Sequence, residues 1–161
     1  MNNPKNINHL CSTKSIYCII LLFFISCTKE EPATITIEVS YFYNNFIGYK
    51  PDVGAKAFLF DHSKTGNISL DSMSVVDARF GQLTSKTGDW LDLDPVYEGE
   101  AGAAGIITIE NITPGYYLLI LASEGRWSFT HKHQHIDSGE KLNLVKSFNY
   151  YYEFNQGGEI W

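Results

Sequence analysis

The sequence has only three cysteines among its 161 residues, and all of them lie near its start, at Cys11, Cys18 and Cys27. No cysteine follows Cys27, so no disulfide can form within the rest of the chain. A fold built from later residues must therefore be stabilised by its apolar core alone. The composition allows such a core, because 44% of the residues are hydrophobic and 14% are aromatic.

Basic residues are also scarce. Lysine and arginine number 12 against 18 aspartates and glutamates, and the formal net charge is −6. An acidic surface repels phosphate backbones, so we do not expect nucleic acid as a partner. Docking on anionic lipid through a basic patch is not expected either.

The common catalytic signatures are missing. The sequence contains no Gly-x-Ser-x-Gly motif, no phosphate-binding loop and no His-Glu-x-x-His motif. We therefore predict a protein that is not an enzyme. No cofactor is expected, apart from the metal ions considered below.

A long hydrophobic run is absent too. The apolar run IYCIILLFFI at residues 16–25 would form a helix that covers only about half of a ~30 Å hydrocarbon core at ~1.5 Å per residue. It follows a polar segment that contains Lys5 and Lys14 but no acid. This order is typical of a cleavable export signal. We predict that residues 1–26 form a signal peptide.

The end of this run contains a cysteine in a distinctive setting. Phe24-Ile25-Ser26-Cys27 resembles the lipobox of bacterial lipoproteins, in which small residues precede a cysteine. The resemblance implies that Cys27 is lipidated on its sulfur, carries acyl chains such as palmitate and becomes the first residue after cleavage. Several acyl chains anchor a protein firmly, at ~0.8 kcal/mol per buried methylene. Residues 27–32 would then tether the protein to a membrane.

Three charged residues follow the cysteine closely: Lys29, Glu30 and Glu31. Cys-Thr-Lys-Glu-Glu resembles the lipoprotein export signal of one large group of gram-negative bacteria. In that group the signal directs lipoproteins to the outer face of the outer membrane. The resemblance implies a lipid-anchored protein on the cell surface, and the alternative is the periplasmic face of the same membrane.

Beyond Pro32 the sequence favours strands. Polar and apolar residues alternate from Ala33 to Tyr41, which is typical of a half-buried strand. Thr113-Pro114-Gly115-Tyr116 predicts a type II turn between two apolar runs. No stretch shows helical periodicity, and residues 68–100 are predicted to be a long loop around one strand. Short strands with glycine-rich turns predict an all-β sandwich. Further strands are predicted at residues 53–60, 74–80, 127–136 and 142–154.

Two segments carry a family resemblance. PDVGAKAFLFD at 51–61 and GIITIENITPGYYLLILA at 105–122 resemble the early strand and the later hairpin of carboxypeptidase-regulatory-like, transthyretin-like (prealbumin-like) and collagen-adhesin B-type domains. The resemblance covers roughly residues 34–147. It implies a single Greek-key β-sandwich of about seven strands within residues 33–161. Such domains are mostly non-catalytic spacers, adhesion units or binding modules. Residues 67–100 depart from the simplest members, which leaves the middle strands unassigned.

Three histidines alternate in one predicted strand: His131, His133 and His135. Positions i, i+2 and i+4 share a face of a strand. Two of these imidazoles would bind Zn²⁺ or Cu²⁺ if a neighbouring strand supplied a third ligand. The alternative is a polar, exposed strand face without a metal.

A second candidate site lies in the predicted loop. Asp92 and Asp94, with neighbouring acids, would offer oxygen ligands to Ca²⁺, although their spacing does not match the calcium loop Asp-x-Asp-x-Asp-Gly. Trp90 and Tyr97 would offer flat faces for stacking on a sugar ring. The alternative is a solvated acidic loop with aromatic residues packed at its rim.

Three functions remain open at this point. The first is a binding or accessory module on the outer membrane that holds a glycan or an outer-membrane protein. The second is a structural or adhesion subunit of a fimbria-like assembly, and the third is a divalent-metal-binding surface protein. The first predicts an exposed aromatic or acidic patch on loops at one end of the sandwich.

Overall fold

The computed structural model describes residues 30–66, 68–70, 73–149 and 161. The predicted signal peptide at residues 1–26, the lipidation site Cys27 and the export residue Lys29 lie outside this set, so they remain predictions. Among the described residues, no helix is long and apolar enough to cross a bilayer.

The described part of the chain is built almost entirely from strands. Its one α-helix, α1, spans Val75–Arg79, and a 3-10 turn spans His62–Lys64. The strands, in chain order, are β1 Ala33–Asn44, β2 Gly48–Pro51, β3 Lys56–Asp61, β4 Leu83–Thr84, β5 Trp90–Leu91, β6 Tyr97–Glu100, β7 Ile106–Ile112, β8 Gly115–Ala122, β9 Phe129–Ile136 and β10 Lys141–Phe148.

Two four-stranded sheets form the sandwich. In the first sheet β1 is central: it pairs in parallel with β10 on one side, and antiparallel with β7 and then β2 on the other. The second sheet has the order β6-β3-β8-β9, and β4 and β5 pair with each other separately. Because β7 and β2 share one side of β1, the eight strands of the two sheets fill seven lateral positions. The predicted all-β sandwich is confirmed.

The space between the two sheets is filled by apolar side chains. Alternate residues of β1 point inward, which explains the period of two in the sequence. Side chains of β3 and β8 face them from the second sheet, and side chains of β7 and β10 lie beside them in the first sheet. This inner core includes Ile35, Ile37, Val39, Ala57, Leu59, Ile107, Ile109, Leu119, Leu121 and Phe148.

The second sheet is buried on its other face as well. Phe58, Phe60, Leu118 and Ile120 point away from the sandwich and form an outer core. They pack against side chains of the segment between β3 and β6, namely Ile68, Met73, Ala78 and Leu83. Burial on both faces explains why β3 and β8 have continuous apolar runs instead of alternation. The long loop predicted at residues 68–100 is therefore corrected: its described residues before β6 form a third layer over the second sheet, and β6 itself pairs with β3.

Residues 74–80 are not the predicted strand. The hydroxyl oxygen of Ser74 accepts a hydrogen bond from Asp77 N, and the Asp77 carboxylate accepts one from Ser74 N. This reciprocal capping box satisfies two backbone donors at the start of α1 and favours a helix over a strand. The two β-branched residues Val75 and Val76 suggested a strand, but the cap outweighs their preference.

The predicted type II turn at residues 113–116 is also wrong. Gly115 is the first residue of β8, paired with Ile136, and the residue with a positive φ is Asn111, at 58°. The segments before and after the turn belong to different sheets, so they do not form the expected hairpin. Tyr117 stabilises the crossing, because its hydroxyl donates to Thr113 O at 2.8 Å.

A buried carboxylate holds the β2–β3 connection and the β8–β9 turn together. Asp52 has no exposed surface. Its carboxylate accepts hydrogen bonds from the Ser123 hydroxyl and from Gly125 N, the latter at 2.7 Å. Ser123 Oγ in turn accepts from Arg126 N at 2.9 Å. We call this group the Asp52 clasp, since it joins the β2–β3 connection to the β8–β9 turn. Burial raises the pKa of the Asp52 carboxyl above its ordinary value, against the lowering effect of these hydrogen bonds.

One backbone position should tolerate no side chain. Gly105 has a φ of +72°, and a Cβ added there would lie 2.4 Å from Val39 O. Gly105→Ala should lower the free energy of unfolding by about 1–3 kcal/mol or more. Urea denaturation measures this change. Gly102→Ala is the matched control, because a Cβ there meets nothing within 4 Å. Equal stability of the two variants would contradict the strain assigned to Gly105.

The Asp52 clasp predicts a change of stability with pH. Because its folded-state pKa is raised, the folded protein holds this proton more tightly than the unfolded chain does. The contribution of Asp52 to stability should therefore fall as the pH rises from the ordinary carboxyl range through the raised pKa, and stay flat above it. Asp52→Asn removes this dependence, so the difference in unfolding free energy between wild type and variant should decrease across that range.

Urea denaturation of both proteins between about pH 3 and pH 8 measures this difference. Asp52→Ala should also destabilise the protein at neutral pH by about 1–3 kcal/mol, because the donors of Ser123 and Gly125 lose their acceptor. A difference between wild type and Asp52→Asn that does not vary with pH would rule out the raised pKa.

Candidate functional site

The chain enters the sandwich at one end, which we call the tether end. Glu31 N donates to Ser138 Oγ at 2.8 Å, and Gly139 N donates to Glu31 O at 2.9 Å. These two bonds strap the residue before Pro32 to the turn between β9 and β10. The side chains of Glu30 and Glu31 stay exposed. The sandwich therefore begins to hold the chain two residues before β1.

The opposite end of the sandwich is the distal end. β1 runs from the tether end for 12 residues, which corresponds to about 36 Å at ~3.3 Å per residue. The β1–β2 turn, the β2–β3 connection and the β8–β9 turn meet there. The Arg126 side chain joins the β8–β9 turn to the distal part of β1 by donating to Phe42 O.

Large apolar side chains are exposed around this distal end. Phe46, at the tip of the β1–β2 turn, is 99% exposed. Trp127, in the β8–β9 turn, is 43% exposed. The first hypothesis of the sequence analysis predicts such a patch on loops at one end of the sandwich. Other exposed apolar side chains in the distal loops, the strands next to them and α1 are Tyr43, Ile47, Tyr49, Val53, Val76 and Phe80.

The surface around Val76, Phe80 and Trp127 is concave. A groove of about 210 Å³ lies between α1 and the distal ends of β3 and β8. We call it the distal groove. It is smaller than the pockets of roughly 300–1,000 Å³ that enclose drug-sized ligands, so it suits a ligand of about one ring. Its lining residues are Gly54, Lys56, Val76, Arg79, Phe80, Ala122, Glu124 and Trp127.

The charged side chains of the distal groove are arranged around its tryptophan. The guanidinium of Arg79 lies over the Trp127 ring, 4.9 Å from its centroid, and forms a salt bridge with Glu124. Lys56 adds a second cation. The groove thus contains two cations and one carboxylate, although the chain as a whole carries a net charge of −6. This arrangement favours an anionic or hydroxyl-rich ligand next to an aromatic face.

Local structure positions each of these groups. The capping box fixes α1, so Arg79 in its last turn and Phe80 just after it face the groove. The Asp52 clasp fixes the β8–β9 turn, which carries Glu124 and Trp127. The sequence analysis missed this site. The one local sequence feature that points to the groove is the Ser-x-x-Asp spacing at Ser74 and Asp77, which predicts the start of the helix that lines it.

The residues of the predicted ligand-contacting loop do not share one environment in the structure. Trp90 in β5 is 65% exposed, and Asp92 and Asp94 are exposed beyond it. Tyr97 instead packs on the inner core, and its hydroxyl accepts a hydrogen bond from Thr113 N at 3.0 Å. Tyr97 therefore packs as the rim alternative predicts, and a ligand-contacting role for the exposed Trp90, Asp92 and Asp94 stays a prediction. Among the residues described, no three His, Cys, Asp or Glu side chains are grouped to hold a metal, and this includes the acidic segment.

The three histidines share the outer face of the second sheet, as their alternation predicts. In β9 they stand opposite Ile120, Leu118 and Tyr116 of β8. His131 is partly buried at the edge of the outer core, whereas His133 and His135 are exposed beyond it. The three-ligand site predicted for this run is absent from the described part of the chain.

A fourth histidine joins this surface. His62, in the 3-10 turn after β3, contacts Tyr116 and His133 with ring centroids 4.4 Å and 4.6 Å away. His135 lies farther along β9, with its ring centroid 6.3 Å from that of Tyr116. Partial desolvation of the His133 ring by its neighbours, together with the charge of His62, lowers the pKa of His133 although much of the side chain is exposed. Local sequence does not predict that His62 meets His133, because the contact depends on the β3-β8-β9 order.

Comparisons with known proteins are sparse. No protein-family model matches the chain, and no curated protein matches it. Among solved structures it is similar to GBS52, the minor pilin of Streptococcus agalactiae, with 13% identity and a TM-score of 0.44 over 80% of this chain and 49% of that chain. It thus spans about half the length of the pilin. PA1324 of Pseudomonas aeruginosa, a protein with a proposed carbohydrate-binding role, shares 12% identity and a TM-score of 0.41 over 74% of this chain and 92% of that chain. The β-sandwich assignment rests on the two packed sheets of this chain itself.

Proposed function

We propose that this protein is a non-catalytic binding module, lipid-anchored at the outer-membrane surface, which holds an acidic saccharide in the distal groove. The observation that carries the proposal is the position of the groove. It lies at the end of the sandwich opposite the strap at Glu31. A domain anchored just before this strap presents the groove to whatever lies above the membrane.

The chemistry of the distal groove favours a saccharide. Arg79 lies over one face of the Trp127 ring, and the exposed remainder of the ring, together with the exposed Phe80, offers flat apolar surface. Sugars present C–H groups that stack on such faces and hydroxyls that hydrogen-bond at their rims. Arg79 is paired with Glu124, so Lys56 is the groove cation that would stabilise a carboxylate on the sugar.

The anchoring part of the proposal rests on Cys27 and the residues after it. Four residue steps separate Cys27 from Glu31, and a fully extended chain covers at most about 14 Å in that distance. A lipid on Cys27 would therefore hold the tether end close to the membrane. Lys29, Glu30 and Glu31 would supply the signal for the outer face, with Glu30 and Glu31 exposed for recognition.

The fimbria-like alternative is less compatible with the first sheet. β1 pairs with β10 over eight residues on one side and with β7 and β2 on the other. An assembly that releases its first strand to open a donor-strand groove would lose the centre of this sheet. We therefore prefer the binding module to an assembly subunit.

The two exposed tryptophans provide a test of the groove. Trp127→Ala removes the stacking face. The variant should therefore give no detectable signal with acidic glycans on an array, and its affinity for them in solution should fall at least about tenfold. Calorimetric titration with the glycan that gives the strongest array signal measures the affinity. Binding should also weaken as salt is added, since the groove cations and the ligand carboxylate are screened.

Trp90→Ala is the matched control, because Trp90 is even more exposed but lies outside the groove. It should bind as the wild type does. Binding that is lost in Trp90→Ala and kept in Trp127→Ala would move the site to the acidic segment. An array without any acidic glycan bound would refute the proposed ligand.

The anchor has its own test, with controls inside the same segment. In the full-length protein, Cys27→Ala should abolish incorporation of an alkyne-labelled fatty acid and shift the protein out of the detergent phase on Triton X-114 partition. Cys11→Ala and Cys18→Ala should leave labelling unchanged, because the proposal places these residues in the cleaved segment. Labelling that persists without Cys27 would overturn the assignment.

Surface display is tested separately from lipidation. Replacing Lys29, Glu30 and Glu31 together by alanine should leave the protein lipidated and membrane-bound. It should also make the protein resistant to proteinase K added to intact cells, while the wild type is digested. A wild-type protein protected in intact cells would place the domain on the periplasmic face.

A further inference from the structure

Two imidazoles from distant parts of the chain meet on the outer face of the second sheet. His62 follows β3, and His133 lies in β9, with β8 between these two strands. Their ring centroids are 4.6 Å apart and their planes are inclined by 80°. Tyr116 of β8 stacks near His133, at 5.9 Å between centroids. We call His62 and His133 the imidazole pair.

The separation of the pair matches that of two ligands of one metal ion. A Zn²⁺ or Cu²⁺ ion lies about 2.0–2.1 Å from each ligating imidazole nitrogen, and a ring centroid lies roughly 1.1 Å behind that nitrogen. Two imidazoles that meet at a metal with an angle between about 90° and 110° therefore have centroids about 4.5–5.3 Å apart. The observed 4.6 Å falls within this range.

The surroundings of the pair suit a metal as well. The Thr65 hydroxyl lies 3.4 Å from Nδ1 of His62, which leaves Nε2 of that ring for a ligand. A hydroxyl or carbonyl at the other ring nitrogen is the usual means of orienting a metal-bound imidazole.

We propose that His62 and His133 bind a divalent transition-metal ion, with Cu²⁺ held more tightly than Zn²⁺. Copper leads this series for nitrogen ligands, and two adjacent imidazoles fit its tetragonal geometry. The described part of the chain contains no grouping of three metal-binding side chains, so water fills the remaining positions. These positions are open to an oxygen ligand from outside.

The ligand set differs from that predicted from the alternating histidines. His133 is retained, His62 enters from another strand, and His131 is excluded because it lies at the edge of the outer core. The imidazole pair also lies apart from the distal groove, whose lining contains neither histidine. The proposal is therefore independent of glycan binding.

Titration of Cu²⁺ into the purified, lipidated protein tests the site. We expect a dissociation constant in the micromolar range, and His62→Gln and His133→Gln should each weaken it at least about tenfold, since one of two imidazole ligands is lost. His131→Gln is the matched control, because it changes the same residue type on the same strand face. It should bind within about twofold of the wild type. Circular dichroism of each variant checks that the fold is kept.

Electron paramagnetic resonance supplies a second readout. The Cu²⁺ complex of the wild type should show hyperfine structure from two equivalent imidazole nitrogens, and each of the two pair variants should show one. Affinity weaker than about millimolar in the wild type would overturn the proposal. So would affinity and spectra that His62→Gln and His133→Gln leave unchanged, because the rings would then be in contact through packing alone.

Discussion

Burial of the second sheet on both faces is the constraint on which the rest of the structure depends. β3 and β8 must pack apolar side chains toward the first sheet and, through Phe58, Phe60, Leu118 and Ile120, toward the outer layer as well. This need explains why the segment between β3 and β6 folds back over the sheet. It also explains why a five-residue helix persists there, since Ala78 of α1 is fully buried in the outer core.

The outer layer has a direct effect on both candidate sites. Where it covers the distal part of the sheet, α1 brings Arg79 and Phe80 over β3 and β8 and creates the distal groove. Beyond the edge of this layer, histidine and tyrosine side chains take the place of the apolar side chains on the same face of the sheet, and His62 meets His133 there. One outward face therefore carries an apolar core in its middle and a different chemistry at each of its edges.

Sequence reasoning succeeded where one physical effect decided the structure. Alternation in residues 33–41 predicted β1, because one face of that strand is buried and burial alone sets its period. It failed where two effects competed. The valines at 75 and 76 indicated a strand, but the Ser74–Asp77 cap decided for a helix. Pro114 and Gly115 indicated a hairpin, but their flanking strands are paired in different sheets. The groove and the imidazole pair depend on strand order, which local sequence does not encode.

The strap at Glu31 determines how freely the domain could turn on its anchor. A long flexible linker would let each copy tumble and would spread its binding end over a wide volume. If Cys27 is lipidated as proposed, at most about 14 Å of extended chain would separate the lipid from the strap, so the distal grooves of neighbouring copies would all face away from the membrane. A polymeric ligand would then meet many binding sites that face the same way. Once one of its repeats is bound, a second repeat would bind a neighbouring copy at high effective concentration. Even a weak single-site affinity would give firm retention of a chain with repeated sugars.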